Sequence, residues 1–143
     1  MSFNIEGSNG GNMNMAAGGL STGTNAGTVQ HTGALTYVVD GKFFSKAATN
    51  NITFGAGLTS LPIGMKAAFA IGITATGTYR VSQGALVPSD QLAPPPADVD
   101  NAAVFGLFVV SATTAAYVPG TTVLGTGNTV VYTQASRIPG SAL

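Results

Sequence analysis

Side chains capable of acid–base or metal chemistry are scarce in this sequence. His31 is the only histidine, there is no cysteine, and charged residues make up 7% of the 143 residues. A nucleophilic triad needs a base with an oriented partner, and a zinc site needs several histidine or cysteine ligands. His31 has no such companion, which favours a packing or surface role for it. We therefore expect a protein that is not an enzyme and that binds neither a metal ion nor a cofactor.

Three of the five acidic residues lie in a proline-rich stretch over residues 84–101. Asp98-Val99-Asp100 is similar to the start of a calcium-binding EF-hand loop, but that loop needs glycine at its sixth position and glutamate at its twelfth. Ala103 and Val109 occupy those positions here, so we reject the motif. Two alternatives stay open: a looser divalent-cation site, and a carbohydrate-active enzyme that uses Asp98 and Asp100 as a carboxylate pair.

Charge is sparse over the whole chain. Five Lys and Arg residues balance five Asp and Glu residues, so the net charge is zero, whereas a typical soluble domain has about 25% charged residues. Nucleic-acid binding needs a clustered basic face, so we expect no nucleic-acid partner. A surface with so few charges is poorly soluble when fully exposed, which indicates that copies of the chain or another protein cover part of it. The alternative is a free domain solvated by its many hydroxyl and amide groups.

Residues 1–31 are rich in glycine and asparagine and contain few large apolar side chains. Such a segment cannot bury enough apolar surface to offset its ordering entropy, so we expect a flexible N-terminal arm that ends where a β-rich domain begins at residue 32. The arm lacks the basic region and apolar stretch of a signal peptide, and we expect synthesis in the cytoplasm. Its spaced apolar side chains are candidates for contact with a neighbouring subunit, the alternative being a disordered tail: Phe3, Ile5, Met13, Met15 and Leu20.

The strongest local signal is a β-hairpin in the first half of the chain. Asp40-Gly41 separates the β-rich runs Leu35–Val39 and Lys42–Ala47, and Asp-Gly is typical of a type I′ turn, which needs positive φ at both central residues. Alternation directs Phe43 and Phe44 to opposite faces of the second run. A strand with a large apolar residue on each face is either covered on both sides or part of a subunit interface, and we assign Phe44 to that interface.

The remaining apolar segments also predict strands. In residues 66–83 the large apolar residues repeat with period two, which indicates a second hairpin. Residues 102–112 form a continuous β-branched and aromatic run that is typical of a buried central strand and too short for a membrane helix, so we expect no membrane partner. We therefore predict an all-β fold: a single small sandwich or barrel-like domain of about seven or eight short antiparallel strands over residues 32–143, with a Pro-rich loop at 84–101.

Two further stretches carry a distinctive pattern: Asp40–Phe54, DGKFFSKAATNNITF, and Val118–Leu124, VPGTTVL, followed by Tyr132. They resemble small structural proteins of tailed-bacteriophage virions, which are usually described as head-fibre or capsid-decoration proteins. The resemblance covers roughly Thr32 to Pro139 and leaves out the N-terminal arm. It implies a β-rich, capsid-associated and often oligomeric protein, and it carries over no functional residue.

Composition, the missing catalytic groups and the resemblance together predict a virion structural protein made in the host cytoplasm. The expected role is that of a decoration or cement protein on the outer surface of a phage head. Its expected partners are the major capsid protein and itself, as a homotrimer at local three-fold positions. The alternative is a phage tail, fibre or adhesin component that contacts a host surface. It predicts exposed aromatic residues at loop tips, and the candidates are Tyr37, Tyr79, Tyr117 and Tyr132, although each lies in or beside a predicted strand.

Overall fold

The computed structural model describes residues 12–16 and 18–134, which form strands, turns and loops and contain no helix. The predicted all-β class and single small domain are therefore confirmed, and no described segment is a helix long and apolar enough to cross a membrane. The strands are β1 (Met13–Asn14), β2 (Leu20–Thr22), β3 (Val29–His31), β4 (Leu35–Val39), β5 (Lys42–Lys46), β6 (Thr49–Ile52), β7 (Met65–Thr74), β8 (Tyr79–Gln83), β9 (Val87–Pro88), β10 (Ala102–Ala112) and β11 (Asn128–Gln134).

The strands form three antiparallel sheets. Two are small, with the orders β1-β4-β5 and β2-β3-β6. The third has the order β11-β10-β7-β8, and β9 pairs with β7 beyond the end of β8. The eleven strands exceed the seven or eight that the sequence predicted, because β1, β2, β3 and β9 are only two or three residues long and give no periodic signal.

Strands β7 and β10 form the centre of the large sheet, and each is buried along most of its length. Their register shifts between Val104 and Gly106, which is the irregularity expected of a β-bulge. The bulge moves Phe105 and Phe108 to the same inner face, although strict alternation separates them. Their neighbours Val104 and Leu107 face the opposite side, in a second apolar cluster. A strand buried on both faces explains the continuous apolar run in the sequence.

The main core receives side chains from all three sheets. Its centre is a stack of Phe69 on Phe108, with ring centroids 5.0 Å apart and an interplanar angle of 7°, an arrangement that adds to the free energy of burial. Phe54 packs against both rings, so the segment after β6 is tied to the large sheet. The largest fully buried side chains here are Val29, Leu35, Tyr37, Leu61, Phe69, Ile71, Ile73, Phe105, Phe108 and Tyr117.

The hairpin predicted at Asp40-Gly41 is confirmed. Asp40 has φ 52° and Gly41 has φ 75°, the positive values that a type I′ turn requires. β4 and β5 pair from Leu35↔Lys46 to Val39↔Lys42. The second hairpin, between β7 and β8, is also confirmed, and its register runs from Phe69↔Gln83 to Ile73↔Tyr79.

The N-terminal boundary was predicted wrongly for the described part of the arm. Residues 12–16 and 18–31 belong to the domain, because β1 extends the hairpin sheet through β4 and β2-β3 form a sheet with β6. Leu20 is 5% exposed and sits against Gly106 of β10, where an added Cβ would lie 2.5 Å from its Cδ2. The glycine-rich composition hid these strands, since their order comes from contacts with the rest of the fold. Residues 1–11 lie outside the described residues.

The Pro-rich segment covers the outer face of β7 and β10. Residues 89–101 contain no strand, while Val99 is 3% exposed and packs with Ala70, Val104 and Leu107 in the second apolar cluster. Gly84 permits the approach, because a Cβ there would lie 2.7 Å from the carbonyl oxygen of Pro94. The small residues on the outer face of β7 therefore make room for this loop.

Candidate interaction surface

The only histidine is a core residue. His31 is 1% exposed; its Nδ1 lies 2.8 Å from the carbonyl oxygen of Gly33, and its Nε2 lies 2.7 Å from the Tyr79 hydroxyl. Because a carbonyl oxygen only accepts, Nδ1 carries the proton and Nε2 accepts from Tyr79. Burial lowers the pKa of His31 below its ordinary value of 6.5; the hydrogen bond to Gly33 opposes this shift and the Lys46 cation adds to it. A neutral imidazole with both nitrogens engaged leaves no lone pair for a substrate or metal ion.

The acidic side chains of the described residues do not gather into a cluster with other possible metal ligands. Among residues 12–16 and 18–134, no three His, Cys, Asp or Glu side chains form a group that could hold a metal ion. Asp98 and Asp100 are exposed, and it is the backbone of this segment that makes the polar contacts. Arg80 Nη1 donates to the carbonyl oxygen of Asp100 at 3.0 Å, and Ser82 Oγ donates to that of Ala97. These bonds fasten the Pro-rich loop to β8.

The tyrosines lie in the core or at its border. Tyr37 and Tyr117 are 1% and 0% exposed, while Tyr79 and Tyr132 pack partly buried against the main core. The Tyr132 hydroxyl lies 2.7 Å from Thr22 Oγ1, and the Tyr37 hydroxyl donates to the carbonyl oxygen of Thr74 at 3.1 Å. None of the four is the exposed loop-tip aromatic that an adhesin requires.

A row of apolar side chains crosses the outer face of the β1-β4-β5 sheet. Met13 pairs with Val38, and Val38 pairs with Phe43, so the three side chains are cross-strand neighbours on one face. Met15 follows two residues after Met13 and donates its N–H to the carbonyl oxygen of Thr36 at 2.7 Å, which continues the ladder. Phe43 is 70% exposed and Met15 is 55% exposed, whereas Met13 is half-buried and Val38 is 7% exposed. We call these four residues the Phe43 row.

Local hydrogen bonds hold β1 in place on this sheet. The N–H of Asp40, at the hairpin turn, donates to Asn12 Oδ1 at 2.9 Å. Asn14 is buried on the side opposite the row, and its Nδ2 donates to the carbonyl oxygen of Ala16. Polar residues that bracket Met13 therefore orient it outward. Asn12 and Asn14 therefore have structural roles that composition alone did not reveal.

Phe44 and Phe43 lie on opposite faces of β5. Phe44 is partly buried and stacks on Tyr37, with ring centroids 5.6 Å apart and an interplanar angle of 26°. Phe43 points away from the core and is the one exposed aromatic among the described residues. Alternation separated the two correctly, but it gave no sign of which face the core would cover. The assignment of Phe44 to an interface stays a prediction, and Phe43 is the better placed residue.

The other interface candidates of the sequence fall into three groups. Met13 and Met15 belong to the Phe43 row. Leu20 is buried against β10 inside its own chain. Phe3 and Ile5 lie outside the described residues. Two of the six candidates therefore come together with Phe43 and Val38, which the sequence did not single out, because their proximity depends on the pairing of β1 with β4.

A second apolar surface lies on the outer face of the large sheet, beside the Pro-rich loop. It is a groove of about 350 Å³ bordered by Lys66 at one end. Leu92 of the loop and Val131 of β11 are 68% and 64% exposed there. We call this the β11 groove, and its main lining residues are Leu92, Leu107, Val109, Thr129, Val131 and Thr133.

Comparison with known proteins gave no family. No family model matches the chain, and neither a curated protein nor a solved structure matches it. The features that bear on function are therefore the two apolar surfaces and the scarcity of charged residues. Most residues of both surfaces lie on strands, so the sheets fix most of their geometry.

Proposed function

We propose that this protein is a structural component of a virion, which decorates the outer surface of a phage head and cements neighbouring capsomers. The observation that carries the proposal is the Phe43 row. Its two exposed members, Phe43 at 70% and Met15 at 55%, stand with the half-buried Met13 on one face of a regular sheet. Exposed apolar side chains grouped on one face mark an interaction site, and aromatic residues and methionine are enriched at protein interfaces.

The face of β5 that carries Phe43 has no charged side chain. Lys42 and Lys46 share the opposite face with Phe44, and Lys46 Nζ lies over the Tyr79 ring there. An uncharged face with an exposed aromatic residue fits a protein partner. The chain as a whole has net charge zero, which provides no long-range attraction to a polyanion. The partner proposed is the major capsid protein.

The resemblance of Asp40–Phe54 to phage virion proteins includes β5 and the segment that follows it. The stretch contains Phe43, so the resemblance includes the exposed aromatic residue of the row. This coincidence between the resemblance and the surface supports a place on the capsid exterior.

The proposed mechanism is passive. Apolar contacts from the row and hydrogen bonds at its rim join adjacent capsomers without any chemical step. A protein that binds only the assembled surface stabilises that assembly by mass action. Heads that carry the protein are therefore expected to melt at a higher temperature than heads that lack it.

The first test measures binding of the purified chain to phage heads that lack it, by co-sedimentation. Phe43→Asp places a charge at the most exposed position of the row and is expected to weaken binding about thirtyfold, since an aromatic residue that is a hot spot contributes about 2 kcal/mol or more. The matched control is Ile63→Asp, because Ile63 is 59% exposed but lies outside the row. Equal binding by wild type and Phe43→Asp would remove the row from the interface.

The second test compares the thermal melting of heads with and without the protein. A melting temperature that does not change on adding the wild-type chain contradicts the cement role. Labelling intact particles with an antibody to the chain then separates the two virion locations. Label at the tail in place of the head would favour the tail or fibre component. None of the four tyrosines is exposed, which is evidence against a host-binding surface built from them.

A further inference from the structure

Strand β11 lies at the edge of the large sheet. It pairs with β10 over seven residues, from Gly106↔Gln134 to Ala112↔Asn128, and it has no second strand partner in the described part of the chain. Alternate N–H and C=O groups of an edge strand point away from its single neighbour, so they are available to another strand. β11 therefore has the geometry for addition of a further strand.

Edge strands are normally protected against such pairing, and β11 is not. It contains no charged residue and no proline, and its register with β10 is continuous without a bulge. Lysine at an edge, proline and bulges are the usual devices that prevent edge-to-edge association. The edge strand β5 begins and ends with lysine, so this chain uses the device at β5 and omits it at β11.

The inner side of β11 is fixed to the rest of the domain. Thr22 Oγ1 lies 2.7 Å from the Tyr132 hydroxyl, and Gly18 N–H donates to Gln134 Oε1 at 3.2 Å. Val130 and Tyr132 pack against the main core. These contacts hold the strand in an extended shape before any partner arrives, which reduces the ordering entropy that strand addition costs.

We propose that two copies of this chain associate through β11, with the two strands antiparallel and related by a two-fold axis at Val131. The sequence Thr129-Val130-Val131-Tyr132-Thr133 is nearly symmetric about its centre. With Val131 opposite Val131 of the second copy, Thr129 faces Thr133 and Val130 faces Tyr132. β-Branched and aromatic residues in such cross-strand pairs are favourable, and an isologous two-fold contact requires this self-complementarity.

The β11 groove supplies the apolar area for this contact. Val109 and Val131 are cross-strand neighbours on the outer face, and Val131 is 64% exposed. When the two β11 strands pair around Val131, Val109 and Val131 of one copy lie next to Val131 and Val109 of the second copy on the same outer face. The two grooves then lie side by side. The apolar residues of one copy then shield those of the other from water.

Charge selects the second copy's β11 as the occupant. Burying an unpaired charge on this apolar edge would be costly, and β5, with Lys42 and Lys46, would bring two. A second β11 brings no charge and repeats the hydroxyl groups that border Val131. The sequence of β11, its neutrality and the groove therefore all fit the same partner.

This surface is separate from the Phe43 row, which lies on the β1-β4-β5 sheet, so the two proposals fail independently. It also replaces the homotrimer expected from the sequence with a dimer, because an isologous pairing of two edges closes on itself.

The test is sedimentation velocity of the full chain over a range of concentrations. Wild type is expected to sediment as a dimer, and Val131→Lys, which sets two lysines opposite each other, is expected to raise the dimer dissociation constant about a hundredfold. The matched control is Phe43→Lys, an equally drastic change at an equally exposed position on the other edge strand, which is expected to leave the dimer intact. A monomeric or trimeric wild type, or a dimer unaffected by Val131→Lys, would overturn the proposal.

The register is tested by cysteine cross-linking, for which the chain offers a background without cysteine. Val131→Cys is expected to form a disulfide-linked dimer under mild oxidation, since directly opposed residues have Cα atoms about 4.5–5.5 Å apart, within disulfide range. Phe43→Cys is the control and is expected to stay uncrosslinked. Thr129→Cys and Thr133→Cys are expected to cross-link when mixed and not alone. Cross-linking of Phe43→Cys in place of Val131→Cys would contradict the two-fold axis.

Discussion

Strands β5 and β11 both lie at the edge of a sheet, but they differ in how their exposed side is protected. β5 is Lys-Phe-Phe-Ser-Lys, with a cation at each end, and β11 is Asn-Thr-Val-Val-Tyr-Thr-Gln, without a charge. Each has one exposed large apolar side chain, Phe43 at 70% and Val131 at 64%. The apolar content is therefore similar, and the difference lies in charge.

This difference separates two kinds of contact. The lysines of β5 oppose pairing with another strand, so Phe43 is available through the face of its sheet rather than through the edge. β11 has no lysine, proline or bulge to prevent edge pairing, so in the proposed dimer its backbone N–H and C=O groups make the contact. The chain has only five Lys and Arg residues. Two of them lie on β5 and none lies on β11.

The largest expected effect comes from exchanging the charge between the two edges. Thr129→Lys with Thr133→Lys gives β11 the protection of β5, and we expect the dimer dissociation constant to rise about a hundredfold or more, because each lysine faces a lysine of the second copy. Lys42→Thr with Lys46→Thr removes the protection of β5, and this variant is expected to keep the β11 dimer and to form larger species at high concentration. Sedimentation velocity measures both variants, and a dimer that tolerates lysines on β11 would show that charge does not control pairing at these edges.

A smaller effect is expected within β5 itself, where its two phenylalanines differ in burial. Phe44→Ala removes the ring that stacks on Tyr37 at 5.6 Å and should lower the free energy of unfolding by about 2 kcal/mol, less than a fully buried phenylalanine. Phe43→Ala removes an exposed ring and should change it by about 0.5 kcal/mol or less. Urea unfolding of both variants measures the difference. Equal losses would mean that the outer face of β5 is covered within the folded chain.

The smallest effect concerns pH at the inner end of β5, where Lys46 Nζ lies 5.7 Å from the centre of the Tyr79 ring and Tyr79 contacts His31. Burial lowers the pKa of His31 below its ordinary value of 6.5. The unfolded chain therefore binds more protons than the folded chain as the pH falls below about 6.5, so the stability that the neutral imidazole contributes above that pH is lost on acidification.

Urea unfolding at about pH 7.5 and about pH 5 measures this dependence. The wild type should lose free energy of unfolding at the lower pH, and His31→Gln should lose less between the two, even if it starts from a lower stability. A pH dependence that His31→Gln leaves unchanged would show that other groups cause it. The same variant measured by sedimentation should keep the β11 dimer, since His31 is buried away from that edge.

Much of the fold was readable from short stretches of sequence. The hairpin followed from Asp40-Gly41, because a two-residue turn is decided by the φ values that its own residues tolerate. The buried β10 followed from its unbroken apolar run, and the hairpin β7-β8 followed from period-two alternation. In each case the signal lies within about twenty residues of the chain.

The Phe43 row was only partly readable. Met13 and Met15 were identified as apolar residues in a polar segment, but Leu20, chosen for the same reason, is buried against Gly106. Alternation separated Phe43 from Phe44 without showing which of them faces the core. Both decisions depend on which strand pairs with which, and pairing partners far apart in sequence leave no local periodic signal.

By itself, the sequence determined the all-β class, the main hairpins and the scarcity of charged and catalytic side chains, because these depend on backbone preferences, alternation and composition. The tertiary structure decided that residues 12–16 and 18–31 join the domain, that Phe43 rather than Phe44 is exposed, and that β11 lies at an edge. The physical reason is that burial and edge position arise from long-range strand pairing. A strand's own residues set its shape, whereas its neighbours in the sheet set which side meets water.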